Sequence, residues 1–148
     1  MFRYEHVLVP LDGSELAEEA LPPALSIAQL MHARVTLIHV IPPFVREVDD
    51  HYKPAAMEIL LEKAGHYLMR VRERLAPTYD AVSIKILSGQ VAEMLTGYAR
   101  EQEIDLIVLS SHGRSGVSRL VFGSVAEKVV RGAHCAVLVV HQKEKLRS

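Results

Sequence analysis

Apolar and polar positions along the chain change period several times, and the changes mark the elements. Val7-Leu8-Val9-Pro10-Leu11 is a short apolar run of the kind found in a buried strand, with Pro10 near its end, where a lost donor matters little. Leu16, Ala20, Ala24, Ile27 and Met31 then recur at helical spacing. Pro22-Pro23 interrupt this stripe. A proline in a helix interior costs about 3 kcal/mol, so the pattern predicts a kink or a second helix beginning near Pro22. Val35 to Ile41 is again almost wholly apolar and predicts the second strand.

Met57, Leu60, Leu61, Ala64, Leu68, Val71 and Leu75 make the clearest helical stripe, with Glu58, Glu62, Arg70, Arg72 and Glu73 on the solvated side. Val82-Ser83-Ile84-Lys85-Ile86 alternates, which predicts a third strand with one wet face at a sheet edge. A turn at Ser88-Gly89-Gln90 leads into a short helix carrying Val91, Leu95 and Tyr98. Asp105 to Leu109 predicts a fourth strand. A helix follows from Ser124, with Gly132 as its C′ residue, and Ala136 to Val140 predicts a fifth strand. Strands alternating with helices at this spacing predict βαβ units: one open parallel sheet with helices on both faces.

Composition narrows the function classes. A chain of 148 residues, 49% apolar and 24% charged, suits one globular domain with a proper core. The formal charge of −1 gives no basic face for nucleic acid or anionic membrane. No stretch approaches the roughly 18 apolar residues of a membrane span, and the N-terminus runs into a strand with no signal-peptide core. One cysteine, Cys135, excludes an internal disulfide framework and reads as a small buried apolar residue. Cytoplasm is the default expectation. No histidines stand at metal-ligand spacing, and His39, inside the second strand, reads as a packed core or strand-end residue.

The chemistry concentrates between Ser110 and Glu127. Gly113, Gly116 and Gly123, with Arg114 and Arg119 among them, separate the fourth strand from Ser124-Val125-Ala126-Glu127, which has the S-x-x-E form of a capping box. Glycines let main-chain N–H groups approach a ligand, and a helix N-terminus adds free donors and partial positive charge, which suits phosphate. A tight surface loop before an ordinary capped helix explains the spacing equally well. Neither G-x-x-x-x-G-K-[ST] nor G-x-G-x-x-G occurs. Asp12, in the Asp12-Gly13-Ser14 turn, reads either as a helix cap or as a ligand contact at the end of a strand.

Gly113, nine intervening residues and Gly123-Ser124 resemble the latter part of the nucleotide motif of the universal stress protein family, Gly-x2-Gly-x9-Gly-Ser/Thr. Ser110 stands where the motif has its first glycine. The wording of Ser-His-Gly-Arg-Ser-Gly and Gly-Ser-Val-Ala-Glu-Lys-Val is similar as well, and the resemblance runs from Val7 to Val140. It implies a UspA-like, Rossmann-like fold of the adenine nucleotide alpha hydrolase type, a single domain over 1–148, with strand order 3-2-1-4-5. Ligands in such sheets sit at the switch point, here between strands one and four, where Asp12 and the Ser110–Gly116 loop would meet.

The resemblance further implies ATP, with magnesium arriving alongside the phosphates and ADP or AMP as variants. The implied site comprises Pro10, Asp12 at the ribose and base, Val40 at the adenine edge, and Ser110, Ser111, His112, Gly113, Arg114, Ser115, Gly116, Gly123, Ser124, Val125 and Ala126 around the phosphates. The loop from about 42 to 55 is expected to be mobile and to order on nucleotide binding, and the charged tail 142–148 to fray. The unguarded apolar fifth strand predicts a homodimer through Val137, Leu138, Val139 and Val140. A regulatory, stress-response binding protein is the leading expectation. An interaction module without nucleotide is the alternative that Ser110 raises. An enzyme would be at most a slow ATPase, since the sequence shows no group that orients His112.

Overall fold

The computed structural model describes residues 1–44, 49–112 and 123–141. The elements run β1 (His6–Pro10), α1 (Glu15–Glu18), α2 (Leu21–Met31), β2 (Arg34–Ile41), α3 (Lys53–Leu75), β3 (Val82–Ser88), α4 (Val91–Glu101), β4 (Leu106–Ser110), α5 (Ser124–Gly132) and β5 (Ala136–Val140). All pairings are parallel and the strand order is β3-β2-β1-β4-β5, as the sequence predicts.

The near-continuous apolar strands follow from cover on both faces. Val7, Val9, Val35, Leu37, Leu106 and Val108 pack with Ala24 and Ala28 of α2 and Leu68 and Val71 of α3. Their neighbours in the period-two alternation, Leu8, Ile38, Val40, Ile107 and Leu109, pack with Leu95 and Ala99 of α4 and Ala126 and Val129 of α5. β3 is an edge strand whose exposed Ser83 and Lys85 alternate with more buried neighbours, and it extends two residues beyond its alternating core, to Ser88.

Several local expectations shift. The two prolines sit in the first turn of α2, where their missing N–H groups have no intrahelical partner, so the stripe is two helices rather than one kinked helix. α3 begins at Lys53 with Pro54 in its first turn, so residues 53–55 of the expected loop are helical. Residues 45–48 of that loop, and the tail 142–148, lie outside the described residues. Gly132 is the last helical residue of α5, and the cap that follows is Ala133 in an extended conformation, so the helix ends without a left-handed glycine.

At the amino-terminal end of the sheet a polar row crosses three strands. His6 Nε2 lies 2.7 Å from Thr36 Oγ1, which lies 3.0 Å from Ser83 Oγ. Asp105 accepts from the backbone N–H groups of Glu5 and His6 at 2.8 and 3.0 Å, fastening the start of β1 to the start of β4. His6 is buried and its Nδ1 has no partner among the described residues. Burial, then the charge of Arg34, hold its pKa below the ordinary histidine value against an opposing pull from Asp105.

Candidate functional site

The site forms where β1 and β4 part. β1 keeps register with β2 over five pairs but with β4 over two, Val7–Leu106 and Leu8–Ile107. Backbone groups alternate sides along a strand: His6 C=O bonds towards β4 and Leu11 N–H towards β2. Pro10 therefore faces β4, and its missing N–H ends that ladder. The lost donor matters here, contrary to the sequence reading, because it opens the sheet. A cleft of about 760 Å³ lies beyond, within the range of small-molecule sites.

Each wall has a local cause. Gly13, at φ 90°, turns the chain out of β1. Asp12 Oδ1 accepts from Ser14 N at 2.9 Å and Ser14 Oγ at 2.5 Å, and Ser14 Oγ in turn accepts from Ala17 N at 3.1 Å. The cap of α1 is thus Ser14, while half-buried Asp12 braces it and borders the cleft. On β2, the even-numbered residues direct their backbone groups towards β1. The last such bond is Leu11 N–H to Ile38 C=O at 2.8 Å. Val40, next on that side, has no strand beside it among the described residues, so its N–H and C=O face the cleft as a donor–acceptor pair.

The opposite wall is the start of α5. Gly123 N–H donates to Ser111 C=O at 2.7 Å, and a Cβ on Gly123 would stand 2.8 Å from that same oxygen. Glycine is required at 123 by this backbone closure, so its own N–H is engaged. The first helical residues Ser124, Val125 and Ala126 carry amides without intrahelical partners, and the N-cap residue, Gly123, has no side chain to cap them. The expected capping box does not form. Gly123 holds the cap position, so Ser124 is already helical, and Glu127 pairs with Arg131 at 2.9 Å one turn on. Ser110 and His112 line the same cleft, and their Oγ and Nε2 are both buried and both without a partner among the described residues. His112 Nδ1 is 3.1 Å from Ser111 Oγ, an orienting contact that the sequence does not reveal.

Pro10, Asp12, Val40, Ser110, Ser111, His112, Gly123, Ser124, Val125 and Ala126 all border this one cleft. Gly113, Arg114, Ser115 and Gly116 lie outside the described residues. The sequence reading missed a third wall, formed by α3. Leu60, Lys63, Ala64 and Tyr67 line the cleft at i, i+3, i+4 and i+7 spacing, a signal present only in part in the helical stripe, whose Leu60 and Ala64 read as core. Tyr67 OH donates to Glu18 Oε2 at 2.8 Å, and Glu18 also pairs with Arg74, tying α3 to α1. Burial, reinforced by the bond to Glu18 and by its charge, pushes the Tyr67 phenol far above its ordinary value, so it stays a neutral donor. His39 also borders the cleft instead of the core, with Nδ1 2.7 Å from Leu11 C=O.

Among the described residues no group of three or more His, Cys, Asp or Glu side chains could hold a metal ion, and no helix is long and apolar enough to cross a membrane. Burial raises the Cys135 thiol pKa, which disfavours the reactive thiolate.

The model of the universal stress protein family matches residues 3–141. Universal stress protein MJ0531 of Methanocaldococcus jannaschii is 33% identical over 144 residues, covering 96% of this chain and 85% of that one. Among solved structures, universal stress protein UspA from Lactobacillus plantarum superposes with a TM-score of 0.82 at 32% identity, over 95% of this chain and 99% of that one. MJ0577, also of Methanocaldococcus jannaschii, superposes with a TM-score of 0.88 at 28% identity, over 97% and 100%. A strand order, a switch-point cleft and a family match over nearly the whole length agree: the chain belongs to the universal stress protein family.

Proposed function

We propose that the chain is an ATP-binding regulatory protein of the stress response, one universal stress protein domain that holds the nucleotide across the cleft between β1 and β4. The observation that carries this reading is the pair of buried atoms Ser110 Oγ and His112 Nε2, without partners among the described residues, in the cleft that the glycine-capped start of α5 also lines. Buried polar groups without partners are rare in proteins, and here both are at a site suited to an anion. The amides of Ser124, Val125 and Ala126 receive phosphate oxygens, joined by the 113–116 segment. The N–H and C=O of Val40 meet the adenine edge, Asp12 the ribose, and apolar Val91, Leu95 and Leu109 the flat faces. Ser110, at the motif's first glycine, contributes its hydroxyl to the phosphates. Magnesium enters bound to the phosphates and takes no dedicated protein site.

Two structures of this fold support a nucleoside phosphate as the ligand class. One is a universal stress protein in complex with cAMP and the other, from Archaeoglobus fulgidus, is in complex with dAMP. At 24% and 20% identity their likeness to this chain extends to the fold, so the ligand argument rests on the cleft itself. The open edge of β5 joins two chains in a homodimer through Val137, Leu138, Val139 and Val140.

Calorimetric titration with Mg-ATP tests the site. Saturable one-to-one binding is expected, weakened roughly ten- to a hundredfold in Asp12→Ala and in His112→Ala, as for a lost hydrogen bond to a charged group. Absence of binding for ATP, ADP and AMP alike would overturn the reading and leave an interaction module of the same fold.

A further inference from the structure

The ring of His39 stands at the base end of the cleft, beside Val40, and its environment fixes its chemistry. Nδ1 is 2.7 Å from Leu11 C=O, and a carbonyl oxygen can only accept, so Nδ1 carries the proton. In the neutral ring Nε2 is then an acceptor, and no partner for it exists among the described residues. The same bond has a second effect. Leu11 C=O is the group next in line for the Val40 N–H in the β1–β2 ladder, and the imidazole occupies it instead.

We propose that His39 determines which base the cleft accepts: it leaves the Val40 backbone pair open to the ligand and offers Nε2 as an acceptor for one N–H of a 6-amino purine. The amine's other N–H goes to Val40 C=O. A 6-oxo purine turns an acceptor towards both and is rejected. This inference rests on the nucleotide reading above.

Titration of the full chain with Mg-ATP and with its 6-oxo counterpart Mg-ITP tests it, in wild type, His39→Phe and His39→Gln. Wild type is expected to prefer ATP by tenfold or more. His39→Phe should lose the share of that preference that Nε2 carries, through weaker ATP and unchanged or tighter ITP binding, while Val40 C=O still disfavours ITP. His39→Gln, whose amide can donate to Leu11 and whose carbonyl can accept, should restore it. Nitrogen-15 NMR of the free chain should show His39 protonated on Nδ1 and bare on Nε2. ATP binding with the same ATP-to-ITP ratio in wild type and His39→Phe, or the opposite tautomer, would overturn the role of His39 while leaving the nucleotide site intact. Failure of wild type to bind either nucleotide would overturn both.

Discussion

Single residues decide whether this cleft exists. Gly123 is fixed by contact with Ser111 C=O, which a Cβ would approach to 2.8 Å. Gly123→Ala should therefore destabilise the chain by about 1–3 kcal/mol, because the obstacle is backbone and cannot rotate away. Chemical denaturation of the two proteins side by side checks this. His6 gives a pH signature. Its pKa is lowered in the folded chain, so below the ordinary value of 6.5 the unfolded chain binds a proton that the folded chain declines. Stability is present above that pH and falls as pH drops through it towards the folded value. Urea unfolding at about pH 7.5 and pH 5.5 should show the loss, and His6→Gln should remove this residue's share of the slope. An unchanged slope in His6→Gln would mean that other groups carry the acid sensitivity.

At the scale of elements, α3 shows both what patterning reveals and where it stops. The stripe from Met57 to Leu75 announces a long helix, and the helix is there, but Ala64, Leu68 and Val71 alone are fully buried within it. Leu68 is 0% exposed and Leu61 42% exposed. Leu68→Ala should cost about 2–5 kcal/mol and Leu61→Ala less than about 0.5 kcal/mol in thermal or chemical unfolding. Periodicity identifies a face without naming its neighbour, so Leu60 and Ala64, which belong to the stripe, turn out to border the cleft. The order of strands and the meeting of Asp12 with Ser110 were legible, because the family resemblance implies the order, the alternation of β3 fits an edge, and that order puts the switch point between β1 and β4. The reasons for Pro10 and Gly123 were not. Whether Pro10 faces β2 or β4 depends on register, and the oxygen that forbids a side chain at 123 belongs to a residue twelve positions away.

For the whole molecule, the order β3-β2-β1-β4-β5 leaves the outer side of β5 unpaired among the described residues. Val140 C=O bonds to Ser111 N–H on the β4 side, so Val137 and Val139 direct their backbone groups outwards. A homodimer through this edge predicts a mass near twice 16.5 kDa in light scattering at micromolar concentration. Val139→Pro, which removes an outward N–H while sparing the β4 ladder, should return the monomer. A monomeric wild type would refute the arrangement.

The two-pair contact between β1 and β4 divides the sheet like a diptych, with three strands on one leaf and two on the other. Anything lodged in the gap touches both leaves and acts as a dowel between them. A ligand at a hundred times its dissociation constant then adds about 2.7 kcal/mol to the folded state. Hydrogen exchange should register that gain at the amides of Leu11 and Ser111, whose bonds to Ile38 and Val140 border the gap on either leaf.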